Sequence, residues 1–332
     1  MKYKIPKIDL HCHLDGSIPP EVLCELAQSR NIKIPGGSLD GYKAYLKDTL
    51  NCKSLVEYLE RFDFPIGILQ DEEAIIKATC ALIEMLDHQG LVYVELRFAP
   101  QQHTKNGLSQ EEVLQAVLKA VNMLKDKCQI HVELILCMMN YTDASINMSA
   151  NMETVNLAKQ YLGKGVVLLD IAGAEGNNMM DFEPLFRHAK SIGLPYIIHA
   201  GEAGPALNVH QALKLGAKRI GHGVRSIEDL NVVQELVDTQ VPIEVCISSN
   251  LNCFVFDEAV HHPIKTLQDK GVLITINTDN MMFSNTTLEQ EYEILKSTFG
   301  YTDEDLIQFN KNSLMVAACD EEVKQKINHY FN

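Results

Sequence analysis

Short runs of apolar, often β-branched residues alternate with longer amphipathic stretches along almost the whole chain. The runs are Lys7–Leu14, Leu91–Pro100, His131–Asn140, Val166–Gly173, Pro195–Gly201, Lys218–Gly223, Pro242–Asn250 and Val272–Asp279. Several are nearly continuous in hydrophobicity, as expected of strands in a parallel sheet covered on both faces. Between them the apolar positions follow a helical period, over Ser109–Lys127, Asn151–Leu162, Phe182–Ile192, Ala206–Leu215, Ile227–Thr239 and His262–Lys270. Gly163, Gly193, Gly216 and Gly271 each follow such a stretch and precede a strand, where glycine ends a helix without Cβ strain.

Strand then helix, about eight times, predicts an α/β chain folded as a (β/α)8 TIM barrel, with an open doubly wound sheet as the alternative. Two segments break the alternation. Residues 15–90 carry helical patterns at Pro20–Arg30 and Ser54–Gln70 between the first two strands, and residues 284–332 read as a helical tail. No Pro/Ser-rich linker, internal repeat or low-complexity tract interrupts the chain, so a single domain over residues 1–332 is expected. In a barrel the first insertion would hang over the C-terminal mouth and act as a lid.

Composition narrows the function classes. With 332 residues, 46% hydrophobic and 22% charged, the chain is an ordinary globular one. Its formal net charge of −15 repels phosphate backbones and anionic bilayers, so neither nucleic acid nor membrane is an expected partner. No apolar run approaches the ~18 residues of a membrane span, and the opening MKYKIPKIDLHCHLDG has no apolar signal region. Nine cysteines, an odd number without a C-x-x-C pair, argue against a disulfide framework and for a reducing cytoplasm.

Polar residues gather where the strands end. His11 and His13 close the first run, His199 and Glu202 the fifth, His222 the sixth, Ser248, Ser249 and Asn250 the seventh, and Asp279 and Asn280 the eighth. Barrel enzymes carry their catalytic groups at that face. Strand alternation points His11 and His13 the same way and Cys12 the other. Neutral imidazoles with one carboxylate suit Zn2+ and leave a position open for water. The His-x-His pair alone is a weak signal, but with His199 and Asp279 at equivalent strand ends it makes a candidate metal site. His88, His103, His188, His210, His261, His262 and His329 have no aligned partner and read as surface or structural. His131-Val132-Glu133 mimics half of a cytidine-type zinc deaminase signature, but the P-C-x-x-C half is absent, and His131 reads as structural. No dinucleotide fingerprint, P-loop, H-E-x-x-H or G-x-S-x-G occurs. Cys246 and Cys253 read as core or loop residues rather than nucleophiles.

Five short motifs then stand in a familiar order. They are His11-Cys12-His13-Leu14-Asp15-Gly16, Asp170-Ile171-Ala172-Gly173-Ala174-Glu175, His199-Ala200-Gly201-Glu202, Gly221-His222-Gly223 and Asn277-Thr278-Asp279-Asn280. From residue 7 to about 285 the chain resembles the adenosine deaminase family. The resemblance implies a zinc-dependent barrel that hydrolyses adenosine and 2′-deoxyadenosine to inosine and 2′-deoxyinosine plus ammonia, a purine-salvage reaction. It implies one Zn2+ per chain, held by His11, His13, His199 and Asp279. Glu202 matches the proton donor to purine N1. His222 matches the residue that orients the water and offsets its charge, with a base role also open, and Asp279 would serve as both ligand and base. Gly173 matches the glycine whose N–H meets purine N3, and Asp15 the carboxylate that accepts from the ribose 5′-hydroxyl, with His13 nearby. Leu55, Leu59 and Phe62 resemble the family's apolar gate, although plain helical core explains the same spacing.

One departure stands out. Many family members carry two aspartates where this chain has Asp279-Asn280; the second faces purine N7, to which an Asn amide donates without needing a proton. The expected partner is a small purine nucleoside; the sequence does not set the oligomeric state. Adenine deaminase, typically His-x-His-Leu-Glu-Gly at the first strand, and deamination of a modified adenosine such as aminofutalosine are the alternatives. Asp15 favours a nucleoside with its sugar. A barrel that only bound nucleoside would be expected to lack a metal donor or Glu202, and neither is missing.

Overall fold

Parallel strands alternate with helices throughout residues 5–48, 52–141 and 143–331, the parts described by the computed structural model. The strands are β1 (Lys7–His13), β2 (Leu91–Phe98), β3 (His131–Asn140), β4 (Val166–Gly173), β5 (Ile198–Ala200), β6 (Ile220–His222), β7 (Ile243–Val245) and β8 (Ile274–Ile276). They form two four-stranded sheets, β1-β2-β3-β4 and β5-β6-β7-β8. The sheets meet at both edges. At one seam Leu169 bridges Tyr196 in parallel, and the Ile197 N–H donates to Leu169 O at 2.9 Å. At the other Cys12 bridges Asp279, the His13 N–H donates to Asp279 O at 2.9 Å, and the Asp279 N–H donates to His11 O at 2.7 Å. The Asn277 side chain extends this seam by accepting the Leu10 N–H at 3.0 Å. The ring is the (β/α)8 barrel that the alternation predicts, and closure leaves no sheet edge unpaired.

The glycines expected to stop helices do so, with left-handed φ of 74° at Gly163, 65° at Gly193, 98° at Gly216 and 92° at Gly271. The strands β5, β6 and β8 are shorter than the apolar runs that announce them, and two further segments differ from expectation. The seventh strand stops at Val245, so Ser248, Ser249 and Asn250 lie on a short helix, Ile247–Asn252. The Glu291 carboxylate accepts the free N–H groups of Ile247 at 3.1 Å and Ser248 at 3.3 Å, which gives the chain a reason to leave the sheet early. The Ser54–Gln70 pattern is likewise divided, into Leu55–Leu59, a tight turn at Glu60–Phe62, and Asp63–Ile68. The break places Pro65 in a first helical turn, where its missing N–H costs no hydrogen bond.

The insertion ends in the helix Glu72–His88, which covers the barrel between β1 and β2. Asp71 caps it by accepting the Ala74 N–H at 2.8 Å, while Glu72 and Glu73 favour its positive end. The tail closes the opposite, N-terminal end of the barrel. From it Asn310 accepts the Ile8 N–H at 2.8 Å, and the Ala318 N–H donates to Glu95 at 2.7 Å. No helix among the described residues is long and apolar enough to cross a membrane.

The barrel interior is charged as well as apolar. Arg97 contacts Asp170 at 2.8 Å and Glu244 at 2.9 Å, and Arg219 contacts Glu244 at 2.6 Å as well as Glu95. Charges this deep are tolerated only when paired, and here each has a partner of opposite sign, with Arg219 and Glu95 also bonded to the tail.

Candidate active site

The C-terminal strand ends converge on one buried point. His11 and His13 come from alternate positions of β1, His199 from β5, and Asp279 from the turn after β8. The Nε2 atoms of His13 and His199 lie 3.3 Å apart, and Asp279 Oδ1 lies 3.4 Å from His11 Nε2 and 3.3 Å from His13 Nε2. A tetrahedral ion with ~2.0–2.1 Å bonds to nitrogen requires a donor–donor edge of about 3.3–3.4 Å. Those three separations suit a metal ion, and His11, His13 and Asp279 form a group able to hold one. The outer face of the site fits as well: His11 Nδ1 is held by Glu244 Oε2 at 2.9 Å and His199 Nδ1 by Asp170 Oδ2 at 3.0 Å. Each carboxylate is anchored by Arg97, so both rings present Nε2 lone pairs to the common point. Ser249 donates to the second Asp279 oxygen at 2.5 Å.

The backbone is strained where it delivers these groups. His222 and Asp279 have φ of 60° and 64°, a left-handed conformation unusual for residues with side chains. His222 takes this conformation at the last residue of β6 and Asp279 in the turn after β8.

Electrostatics divides the carboxylates. Burial would raise the Asp279 pKa, but its hydrogen bond with His11 and the His13 and His11 charges hold it below the ordinary range. Asp170 is also held low, by His199 and Arg97 against the effect of burial. Glu202 goes the other way. Burial first, then the negative charges of Asp279 and Glu175, push it well above the usual carboxylate value. Its Oε2 stands 3.6 Å from His222 Nε2. Burial drives the His13 and His222 pKa values well below normal.

A cavity of about 590 Å3 opens over this floor. His13, Asp15, Gly173, His199, Glu202, His222, Asp279 and Asn280 all line it, while His11 lies beneath. Leu55, Tyr58, Leu59 and Phe62 also line it, while Leu55 and Tyr58 belong to the main core and Leu59 and Phe62 pack against it. Two glycines are needed for the shape. A Cβ on Gly173 would come within 2.5 Å of Asn140 O, and one on Gly16 within 1.9 Å of Asn280 Oδ1. Asn280 gives one amide N–H to Asp279 Oδ1 at 2.8 Å. The His131–Glu133 pair, 2.9 Å apart, sits at the opposite end of β3.

Comparison with known proteins identifies the family. The profile of the family described as "Adenosine deaminase" matches residues 6–331. The chain belongs to the adenosine deaminase family. It is 41% identical over 325 residues to an adenosine deaminase of Haemophilus ducreyi, covering 96% of this chain and 94% of that one. An adenosine deaminase of Clostridium kluyveri is 38% identical over 325 residues, covering 97% and 92%. Among solved structures, an adenine deaminase of Arthrobacter aurescens superposes with a TM-score of 0.89 at 26% identity, over 98% of both chains. Membership of the family agrees with the resemblance in the motifs, and the buried His/Asp cluster is a site able to hold a metal ion.

Sequence reading assigned no role to several residues of the site, although Asp170 and Glu175 stand in one of its motifs. Arg97, Glu244 and Asp170 could have been found as charged residues inside near-continuous apolar strands, which have nowhere to point but into the barrel. Glu175 accepts the N–H groups of Gly201, Glu202 and Gly204, at 2.5, 2.9 and 2.8 Å, and thereby holds the loop that carries Glu202. His103 is buried, donates from Nδ1 to Leu69 O at 3.0 Å, and sets Nε2 3.7 Å from Asp15. His262, also buried, reaches Asn250. No local pattern marks these last contacts, since they join residues from different loops.

Proposed function

We propose that this chain hydrolyses adenosine and 2′-deoxyadenosine to inosine and 2′-deoxyinosine with release of ammonia, using one zinc ion held by His11, His13, His199 and Asp279. The observation that carries this reading is a single site that brings that donor set together with Glu202, a buried carboxyl whose pKa burial pushes well above the usual range. Held by these four residues, zinc would acidify a bound water and so supply a nucleophile at neutral pH.

The remaining chemistry belongs to side chains. Addition of oxygen to C6 pushes an electron pair onto N1, and Glu202 holds the proton that N1 then takes. His222 orients the attacking water. The backbone N–H of Gly173 meets N3, because the absent side chain lets the base approach. Asn280 has a second amide N–H, not used on Asp279, for N7. Asp15 accepts from the ribose 5′-hydroxyl. Leu55, Leu59 and Phe62 roof the base and keep bulk water out. Nine cysteines without a C-x-x-C pair and a net charge of −15 support a reducing, cytoplasmic setting with a small-molecule partner and no nucleic acid.

The test is a substrate panel. Zinc-loaded protein is given adenosine, 2′-deoxyadenosine, adenine, AMP and aminofutalosine, with absorbance and ammonia followed together. The two nucleosides should react fastest. Adenine turned over as efficiently as adenosine would replace this reading with adenine deamination.

A further inference from the structure

We propose that Asn250 and His262 form a relay that fixes the tautomer of His222, so that His222 presents an N–H, and not a lone pair, to the attacking water. Both are positioning residues that act through His222. The consequence for catalysis rests on the proposed function; the hydrogen-bond logic does not.

That logic starts from one donor whose direction is unambiguous. The backbone N–H of Ile264 donates to His262 Nδ1 at 3.3 Å. An imidazole that accepts at Nδ1 keeps its lone pair there and carries its proton on Nε2. Burial, which pushes the His262 pKa down to about 3, agrees with a neutral ring. His262 Nε2 faces Asn250 Oδ1 at 3.2 Å, so the amide oxygen accepts and the amide orientation is settled. The reverse orientation would set the Asn250 NH2 against the His262 N–H, two donors opposed in a buried site. Asn250 Nδ2 is then turned to His222 Nδ1, 3.2 Å away. An amide nitrogen only donates, so His222 Nδ1 accepts and its proton must sit on Nε2.

His222 Nε2 is the nitrogen that faces the reaction centre. It lies 3.6 Å from Glu202 Oε2, and the ring stands 4.9 Å from that of His11 and 5.3 Å from that of His199. With a proton on Nε2, His222 can steer the attacking oxygen and stabilise its growing negative charge. It cannot take that oxygen's proton, so the base role left open by the motif is removed. The relay also explains the placement of its parts. Early exit from β7 puts Asn250 on a helix beside the site, and the loop before the helix Ile264–Asp269 brings His262 up behind it.

The experiment reads the tautomer directly. Zinc-loaded protein carrying 15N-histidine is studied by two-bond 1H–15N correlation at neutral pH, with His222 assigned through His222→Gln. In the parent, His222 should show an unprotonated Nδ1 and a protonated Nε2. In Asn250→Leu the two nitrogen shifts should converge as the selection is lost. The same variant should lose on the order of 10- to 100-fold in kcat, short of the ~10⁴-fold that a wholly wrong tautomer costs in a serine-protease triad, with KM and bound zinc near the parent's. His262→Leu, which frees the Asn250 amide to turn, should shift the His222 nitrogens in the same direction. A protonated Nδ1 in the parent overturns the proposal, as does an unchanged His222 pattern in both variants. The expected tautomer in a protein inert towards adenosine would refute the proposed function while the relay stands. The wrong tautomer in an active adenosine deaminase would refute the relay alone.

Discussion

Replacing Glu175 with Gln probes how the site is built without touching either the metal donors or the cavity wall. The two carboxylate oxygens accept four hydrogen bonds: Gly201 N–H at 2.5 Å and Asn208 Nδ2 at 3.0 Å on Oε1, and Glu202 N–H at 2.9 Å and Gly204 N–H at 2.8 Å on Oε2. Whichever oxygen becomes NH2 must face two donors. Two buried donors lose their acceptor, each at ~1–3 kcal/mol, so the loss in stability should be ~2–6 kcal/mol. The loop that relaxes carries Glu202, and a misplacement of ~1 Å at a reacting group costs on the order of 10²-fold. Glu175→Gln should therefore approach the ~10²-fold or greater kcat loss expected of Glu202→Gln, with zinc still bound.

The same substitution has a signature in pH. Burial contributes most to the high Glu202 pKa, then the Asp279 charge, then that of Glu175. Removing the Glu175 charge lets Glu202 ionise at lower pH. Activity requires its protonated form, so the alkaline limb of kcat/KM should move to lower pH. Urea unfolding, zinc content and a pH–rate profile on one preparation measure all three effects. A variant that is destabilised yet keeps the parent's kcat and alkaline limb would refute the reasoning, because the brace would then not serve Glu202.

Other outcomes follow from the same geometry. Purified protein should hold about one zinc per chain, and stripping it should abolish turnover until zinc is restored; full activity in metal-free protein would remove the donor set from the mechanism. Asn280→Asp keeps its hydrogen bond to Asp279 Oδ1 only while protonated. Its activity should fall relative to the parent as pH rises, and identical profiles would mean that residue 280 does not meet the base. Asp15→Ala should lose most of the preference for adenosine over 5′-deoxyadenosine while retaining zinc, as measured by the ratio of kcat/KM values; an unchanged ratio would place the sugar elsewhere. Burial raises Glu291 from 4.5 to about 7. A raised carboxyl contributes stability that is full below its unfolded pKa and lost as pH climbs through the folded one. Glu291→Gln should then flatten the decline in stability between about pH 4.5 and 7, and denaturant midpoints across that window would show it.

Much of this molecule was legible along the chain. The near-continuous apolar runs of β2 and β4 and the helix-stopping glycines after the outer helices are local signals, and they determined the order of strands and helices. His11 and His13 could be paired because strand geometry sends alternate residues the same way. Polar residues at strand ends, with motifs in the order of one family, determined the candidate metal donors and Glu202. The lid was half legible. The spacing of Leu55, Leu59 and Phe62 suited both a core face and a gate, and in the structure the three pack with the core and line the cavity as well.

Tertiary structure alone decided how those groups are held and which protons they carry. Glu175 lies 27 residues before Glu202, Arg97 reaches Asp170 from two strands away, and Asn250 meets His262 through a loop. The sequence could name the residues at each strand end, but the direction of a hydrogen bond depends on which donor occupies the far side of the acceptor. In a buried site that neighbour comes from another element, brought there only when the barrel closes, and it decides both the tautomer of His222 and the charge of Glu202.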